Sequence, residues 1–418
     1  MALGVGLQPW RLTALLGGAA LLLAACQPSP SAPTAKPAAE PTKPAAPAAS
    51  PPGSPAASPA AAASPSPSPA AAASPSPSPA AAGPAGAPVA AKPLAPGTKI
   101  VFGAPVTTPN NTVFPYYVAR ELGFWKEDNL DVEIVQIGGS GATMQQLLGG
   151  RLDTAGPSMP AVLNALGQGN QVKNYYTWSR GTIFYLSTLT DSGITSIEDL
   201  RGKDVGISEP GGGEVPFLKQ AVALRGLDPD KDIRMVPIGE AGATAYEAVR
   251  SKRVVAYASN VAELLTLKSR GLQFRDLTPD EFKNLPAQSL VATPDSLAKN
   301  RDALVVIGRG IAKATLFCQT SKDACNAVMQ KAAPEHYTNA QVAMDTLDVQ
   351  LGMTKLVSGN TFGAHSPTDM QGYIDLTLKF NPSFKPFTAA EFLVDDLLPA
   401  INQFDQDRIK KMAQEYKP

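Results

Sequence analysis

The stretch VGISEPGGGEVPFLKQAV, residues 205–222, runs from a short apolar segment through three consecutive glycines into a segment with helical spacing. A strand that enters a helix through a bare glycine turn is half of a βαβ unit, and the question is whether the rest of the chain continues that pattern. It does on both sides. Downstream, DIRMVPI (232–238) and VVAYAS (254–259) read as strands, and TAYEAVRS (244–251) reads as the helix between them. Upstream, GITSIEDLRG (193–202) carries Ser196 and Asp199 at the spacing of a helix-capping box.

A first unit precedes this one. IVFGAP (100–105) and DVEIVQI (131–137) read as strands, Pro115 opens a helix through Leu122 that Gly123 ends, GGSGATMQQLLGG gives a turn and a short helix, LDTAG a brief strand, and PAVLNALGQG a helix from Pro160. Strands separated by helices of this length need crossover connections, so each sheet is expected to be mainly parallel with helices on its faces. TIFYLSTLTD (182–191) switches between the units, LPAQSLVA (285–292) reads as a strand leading back out, and the chain beyond it is mainly helical. The expected fold is α/β and two-lobed, with lobe 1 formed by 97–187 and 290–418, lobe 2 by 188–289, and a hinge at the two crossings.

The N-terminal residues MALGVGLQPWRLTALLGGAALLLAAC have one basic residue, Arg11, followed by about a dozen mostly apolar residues ending in small ones. Such a run is too short to span a hydrocarbon core of about 30 Å and reads as a signal peptide, residues 1–25. LAAC, Leu23 to Cys26, resembles the bacterial lipobox, which implies lipidation of Cys26, a membrane anchor and an extracytoplasmic location. Residues 26–96 follow as a Pro/Ala/Ser tract in which ASPSPSPAAA occurs at 63–72 and again at 73–82. It lacks the apolar side chains that offset the entropy of ordering, so a disordered linker is expected, reaching roughly 200 Å if fully extended as polyproline II.

The chain balances 36 basic against 36 acidic residues and shows no Lys/Arg-rich run, which argues against nucleic acid as a partner. With Cys26 assigned to lipid, Cys318 and Cys325 remain. They are expected to form a disulfide that closes a turn between two helices; the alternative is a pair of buried thiols, because in one continuous helix seven residues put the Cα atoms too far apart to bridge.

FPYYVARELGFWKEDNLDVEIVQIGGSGATMQQLLGGRLDTAG (114–156), DSGITSIEDLRGKDVGISEPGGGEVPFL (191–218) and ALRGLDPDKDIRMVPIGEAGATAYEAVRSKRVVAYASN (223–260) resemble the ABC-transporter substrate-binding proteins of the sulfonate, nitrate, taurine and thiamine-precursor type. The resemblance covers roughly 99–400. It implies a type II periplasmic-binding-protein-like fold that acts as a monomer, holds a sulfonate, a nitrate-like anion or a pyrimidine/thiamine precursor in the interlobe cleft, and passes it to a permease with its ATPase. No cofactor or metal is implied.

In open parallel sheets ligands bind beyond the carboxyl ends of the strands, where helix N-termini present unpaired amides. The expected ligand-binding residues therefore come from the strand-to-helix corners: Asn111, Phe114, Ser140, Gly141, Ser158, Met159, Trp178, Arg180, Glu209, Gly211, Gly212, Gly213, Glu240 and Asn260. The three glycines are expected to let backbone approach the ligand and to adopt positive φ, with Glu214 starting the helix. Arg180 offers a forked cation for an anionic ligand, whereas Glu209, Glu214 and Glu240 pull toward a cationic or hydrogen-bond-donating one. Trp178 serves equally well in a core, Arg180 at a hinge or surface, and Asn111 as a turn former. The only two histidines, His336 and His365, are read as surface helix residues away from the cleft loops, so the chain offers no catalytic constellation and is expected not to be an enzyme. The alternatives are a ligand sensor or a pyrimidine-precursor enzyme of the same fold, or an adhesive surface lipoprotein.

Overall fold

The computed structural model describes residues 92–356 and 361–417. The signal peptide, Cys26 and most of the linker lie outside the described residues. The tail of the tract read as linker, from Lys92, is ordered against the fold: the Lys92 amide donates to Asp302, and Leu94 packs on the core.

Ten strands form two sheets. They are β1 Thr98–Ala104, β2 Leu130–Gln136, β3 Thr154–Ala155, β4 Lys173–Arg180, β5 Phe184–Leu189, β6 Lys203–Ile207, β7 Ile233–Pro237, β8 Ala256–Asn260, β9 Phe274–Asp276 and β10 Pro286–Ala292. The first sheet has the order β2-β1-β3-β10-β4 and the second β7-β6-β8-β5-β9. Each is parallel except for one strand, β10 in the first and β5 in the second, which run against both neighbours. These odd strands follow the crossings of the chain between sheets, at 181–183 and 277–285. Strand pairing thus moves the chain to the other sheet a few residues ahead of 187/188 and 289/290.

Helices cover both sheets as the crossover argument requires. The 20-residue helix Arg301–Thr320 is long and apolar enough to cross a membrane, yet it is the core helix of the first lobe, buried from Ala303 to Gly308 and from Gly310 to Cys318. Gly310 lets Trp125 lie against it; a β-carbon there would stand 2.2 Å from the indole nitrogen, which donates to the Ile307 carbonyl at 3.2 Å. The helix ends at Thr320, a new one starts at Lys322 with Ser321 as its N-cap, and Cys318 and Cys325 are bonded across the break with their Cα atoms 4.8 Å apart. The break supplies the proximity that a continuous helix denies, where seven residues rise about 10 Å.

Three elements escape the periodicity of the sequence. KNYYTWSR (β4) is buried at Asn174–Ser179 and shows no alternation, because Asn174 and Thr177 find partners in each other and in Ser289 of β10. The three-residue β9 and the helix Val261–Ser269 complete the second lobe. At 195–200 the capping box is half present: Asp199 accepts from the Thr195 and Ser196 amides, but Ser196 returns no bond and only a single 3₁₀ turn, Glu198–Leu200, forms.

Candidate functional site

The carboxyl ends of the strands in both sheets converge on one cleft between the lobes. Its first-lobe wall includes Pro105, Val106, Thr112, Gly139, Ser140 and Gln288; its second-lobe wall includes Ser208, Glu209, Gly212, Glu214, Glu240 and Glu263. The inner space is about 60 Å³ and borders a wider groove of about 780 Å³ that shares Pro105, Val106, Glu240, Asn260 and Glu263.

The two glycine-rich corners meet across this cleft. The Gly141 amide, in the first turn of the helix Ser140–Leu148, donates to the Gly211 carbonyl at 3.1 Å, and a β-carbon on Gly141 would stand 2.6 Å from that oxygen. Thr107 reaches Glu240 at 3.4 Å in a second contact between lobes.

The glycines of SEPGGGEV lack the backbone conformation expected of them. None of Gly211, Gly212 and Gly213 has positive φ. A β-carbon on Gly212 would lie 2.1 Å from the Glu214 carboxylate, one on Gly213 would lie 2.4 Å from Ser158 Oγ and 2.7 Å from the Phe184 ring, and one on Gly211 would meet nothing within 4 Å. The bare backbone accommodates the protein's own side chains. Glu214, at the start of the helix Glu214–Ala223, folds its carboxylate back over the corner and accepts from the Ser208 amide at 3.0 Å.

Beside it lies a second buried acid. Glu263 Oε2 accepts from Ser208 Oγ and from Tyr257 OH, each at 2.6 Å, and Oε1 accepts from Asn260 Nδ2 at 2.6 Å. Neither acid has a Lys or Arg partner among the described residues. Burial pushes the Glu214 carboxyl up to about 7, with Glu209 adding to the rise. Burial first, then the charges of Glu214 and Glu240, push Glu263 up to about 8. Burial and Glu240 also raise Glu209. The Tyr257 phenol is raised by burial and by Glu263.

Of the residues singled out in the sequence, Ser140, Glu209, Gly212, Gly213, Glu240 and Asn260 line the cleft. Gly141 and Gly211 form the clasp at its edge. Ser158 is buried behind Gly213 with its Oγ unpartnered, and Met159 is fully buried. Phe114 and Trp178 belong to the core: their rings meet edge to face at 6.1 Å, and the Trp178 indole donates to Tyr116 OH at 3.1 Å. Asn111 is buried with its amide given to Tyr337 OH and the Ala343 carbonyl. Arg180 pairs with Asp369 and faces a separate cavity of about 580 Å³ with Tyr185, Asp276, Lys283 and Lys355.

Both histidines differ from expectation. His365 is buried in a loop, its Nδ1 bonded to Thr177 Oγ1 at 3.0 Å. His336, on a 3₁₀ turn, is half-buried in the wall of the outer groove with Asn110, Glu240 and Asn260, and burial lowers it to about 4.

The sequence reading missed Glu263, Ser208, Tyr257 and Gln288. A signal existed for Glu263: Asn260-x-x-Glu263 has capping-box spacing, and Asn260 does cap its helix by accepting from the Glu263 amide at 3.1 Å. Gln288 was visible, next to Ser289, as a polar residue in a largely apolar strand; it donates to the Thr112 carbonyl at 3.3 Å and accepts from Ser179 at 3.2 Å.

Two α/β lobes joined by two crossings around a polar cleft define the periplasmic-binding-protein-like fold. Among solved structures, the alkanesulfonate-binding protein SsuA from Xanthomonas axonopodis pv. citri bound to MOPS is similar with a TM-score of 0.57 at 14% identity, covering 72% of this chain and 100% of its own. The periplasmic nitrate-binding protein NrtA from Synechocystis PCC 6803 is similar with a TM-score of 0.55 at 14% identity, covering 78% and 100%. The chain belongs to the NMT1/THI5-like family, which matches residues 110–324. The curated relative named "Putative binding protein YtlA" from Bacillus subtilis (strain 168) is 26% identical over 219 residues, and the match spans 51% of this chain and 65% of that relative's length.

Proposed function

We propose that this chain is the extracytoplasmic substrate-binding component of an ABC importer, which captures one small organic molecule between its lobes, leaves it chemically unchanged and hands it to a permease served by an ATPase. The observation that carries this reading is the convergence of strand-to-helix corners from both sheets on a single polar cleft, where Gly141 and Gly211 bridge the lobes. The names of the solved structures it resembles, binders of alkanesulfonate and of nitrate, support a carrier role. The division into lobe 1, 97–187 with 290–418, and lobe 2, 188–289, shifted to the crossings of the strands at 181–183 and 277–285, goes with this reading, as does action as a monomer without cofactor. Melting curves of the full chain with a library of sulfonates, carboxylates, nitrate, pyrimidines and flavins test it: a true ligand raises the midpoint and is recovered intact, whereas recovery of a covalently altered compound contradicts it.

The anchor belongs to the same proposal. Lipid on Cys26 holds the protein at the outer face of the cell membrane, with the Pro/Ala/Ser tract as tether. Cys26→Ser releases the protein from membranes without changing its affinity; retention after a high-salt wash contradicts the assignment.

A further inference from the structure

The helix Ala340–Met353 follows the second crossing of the chain, yet it packs against both lobes. It lies on the turn Asn111–Val113 and on β4 in the first lobe, and on the helix Val261–Ser269 in the second. Its seat on the first lobe is firm: the buried Asn111 amide donates to the Ala343 carbonyl at 2.7 Å and to Tyr337 OH at 3.1 Å. Its polar contact with the second lobe is lighter, a single bond from Asn339 Nδ2 to Ser269 Oγ at 3.1 Å between exposed side chains. Thr338, Asn339 and Val342 line the outer groove together with Thr266, Ser269 and Arg270. At the other end Gly352 and Met353 border the cavity beside Gly181 and Thr182 of the first crossing. Fourteen residues of helix, about 20 Å, thus run from the groove to the hinge. An independent feature lies on the same helix. Gln350 is fully buried, and neither its Oε1 nor its Nε2 has a hydrogen-bond partner, so this seat carries a desolvation cost that a shifted one can relieve.

We propose that the turn His336–Asn339 and the helix Ala340–Met353 form a strap that holds the lobes together beside the outer groove, with Asn339–Ser269 as its latch; this rests on the reading of the cleft as one that opens and closes around a ligand. Because Asn111 fixes the strap to the first lobe, the strap moves with that lobe, and the contact that breaks on opening is the one to Ser269. The bond between Gly141 and Gly211 then joins the lobes at one place and the strap joins them at another. An exposed hydrogen bond is exchanged for bonds to water when it opens, so the latch tunes the closed fraction of the ligand-free protein and does not lock it. The unpaired Gln350 carboxamide acts in the opposite direction, toward release, because it gains partners when the strap leaves its seat.

The test is hydrogen exchange of the ligand-free full chain, read at the Gly141 amide, which bonds the Gly211 carbonyl across the cleft and belongs to neither partner of the latch. Ser269→Ala removes the acceptor. Asn339→Ser draws the side chain away from Ser269 but keeps a residue able to cap the helix, as Asn339 does by accepting from the Val342 amide at 3.2 Å. Each variant should speed exchange at Gly141 about two- to fivefold with the urea midpoint unchanged, and the double variant should exchange no faster than either single one, because both remove the same bond. Gln350→Met, which replaces the unpaired carboxamide with an apolar chain of similar length, should slow the exchange at least twofold. Unchanged exchange at Gly141 in the two latch variants overturns the strap, as does unchanged or faster exchange in Gln350→Met. Acceleration that adds up in the double variant, or that comes with a falling urea midpoint, also overturns it, since that reports a loosened fold and not parted lobes. The test needs no ligand, so its failure leaves the carrier function standing, and failure of the ligand library leaves the exchange result standing.

Discussion

Gly212 has the Glu214 carboxylate standing where its side chain would be, and this fixes what substitutions in the glycine corner do. Gly212→Ala must push the carboxylate off the Ser208 amide, so we expect a loss of about 1–3 kcal/mol in stability and at least tenfold in affinity. Gly211→Ala has open space and no positive φ, and we expect a change within about 0.5 kcal/mol. Urea midpoints for the two variants decide this; equal effects contradict the account. The buried acids give a second residue-scale prediction. Folded-state values of about 7 for Glu214 and about 8 for Glu263 lie above their ordinary value of 4.5, so the folded protein binds more protons than the unfolded chain through neutral pH. Stability therefore falls as pH rises, by up to about 1.4 kcal/mol per pH unit for each group. His336, lowered to about 4, acts in the opposite sense but only below its ordinary value of 6.5. The ligand-free protein should accordingly have a higher urea midpoint at pH 6.5 than at pH 8.5, with the difference reduced in Glu263→Gln; a midpoint that rises toward pH 8.5 contradicts the assignment.

At the scale of elements, the disulfide sits at a helix break and closes a loop of only a few residues, for which loop entropy predicts about 2 kcal/mol. Cys318→Ala/Cys325→Ala should lower the melting temperature by a few degrees without altering ligand affinity, because the pair lies in the core of the first lobe and not in the cleft. Sequence legibility divides along the same lines. Strands that alternate or lead into glycine and proline joints, such as Leu130–Gln136 and Lys203–Ile207, were legible from period and punctuation. Lys173–Arg180 was not, since a strand buried through most of its length with its polar residues satisfied by a neighbouring strand shows no period of two. The glycine corner was legible as a turn from strand to helix, but the contacts that require its glycines come from Ser158 and Phe184 as well as Glu214. The first two are distant in sequence, and no local pattern encodes them.

At the scale of the whole molecule, two sheets with the same construction face each other through their strand-to-helix corners, and the chain crosses between them twice. Two crossings are the connection a hinge requires, and under the proposed carrier function a ligand that bridges the walls favours a closed arrangement by its differential affinity. The same ligand stabilises the fold by about 2.7 kcal/mol at a hundredfold excess over its dissociation constant. Arg180, Trp178 and Asn111, which the sequence placed at corners, are taken by a salt bridge, an aromatic core and a buried amide contact, because a corner residue can turn inward as readily as toward the cleft. The measurement that tests the central claim most directly is hydrogen exchange of the full chain with and without a saturating compound that raises its melting temperature. The account predicts protection concentrated at 105–113, 138–141, 208–214 and 260–263 on both walls of the cleft; protection confined to one lobe, or centred on the cavity of Arg180, Tyr185 and Lys283, would contradict it.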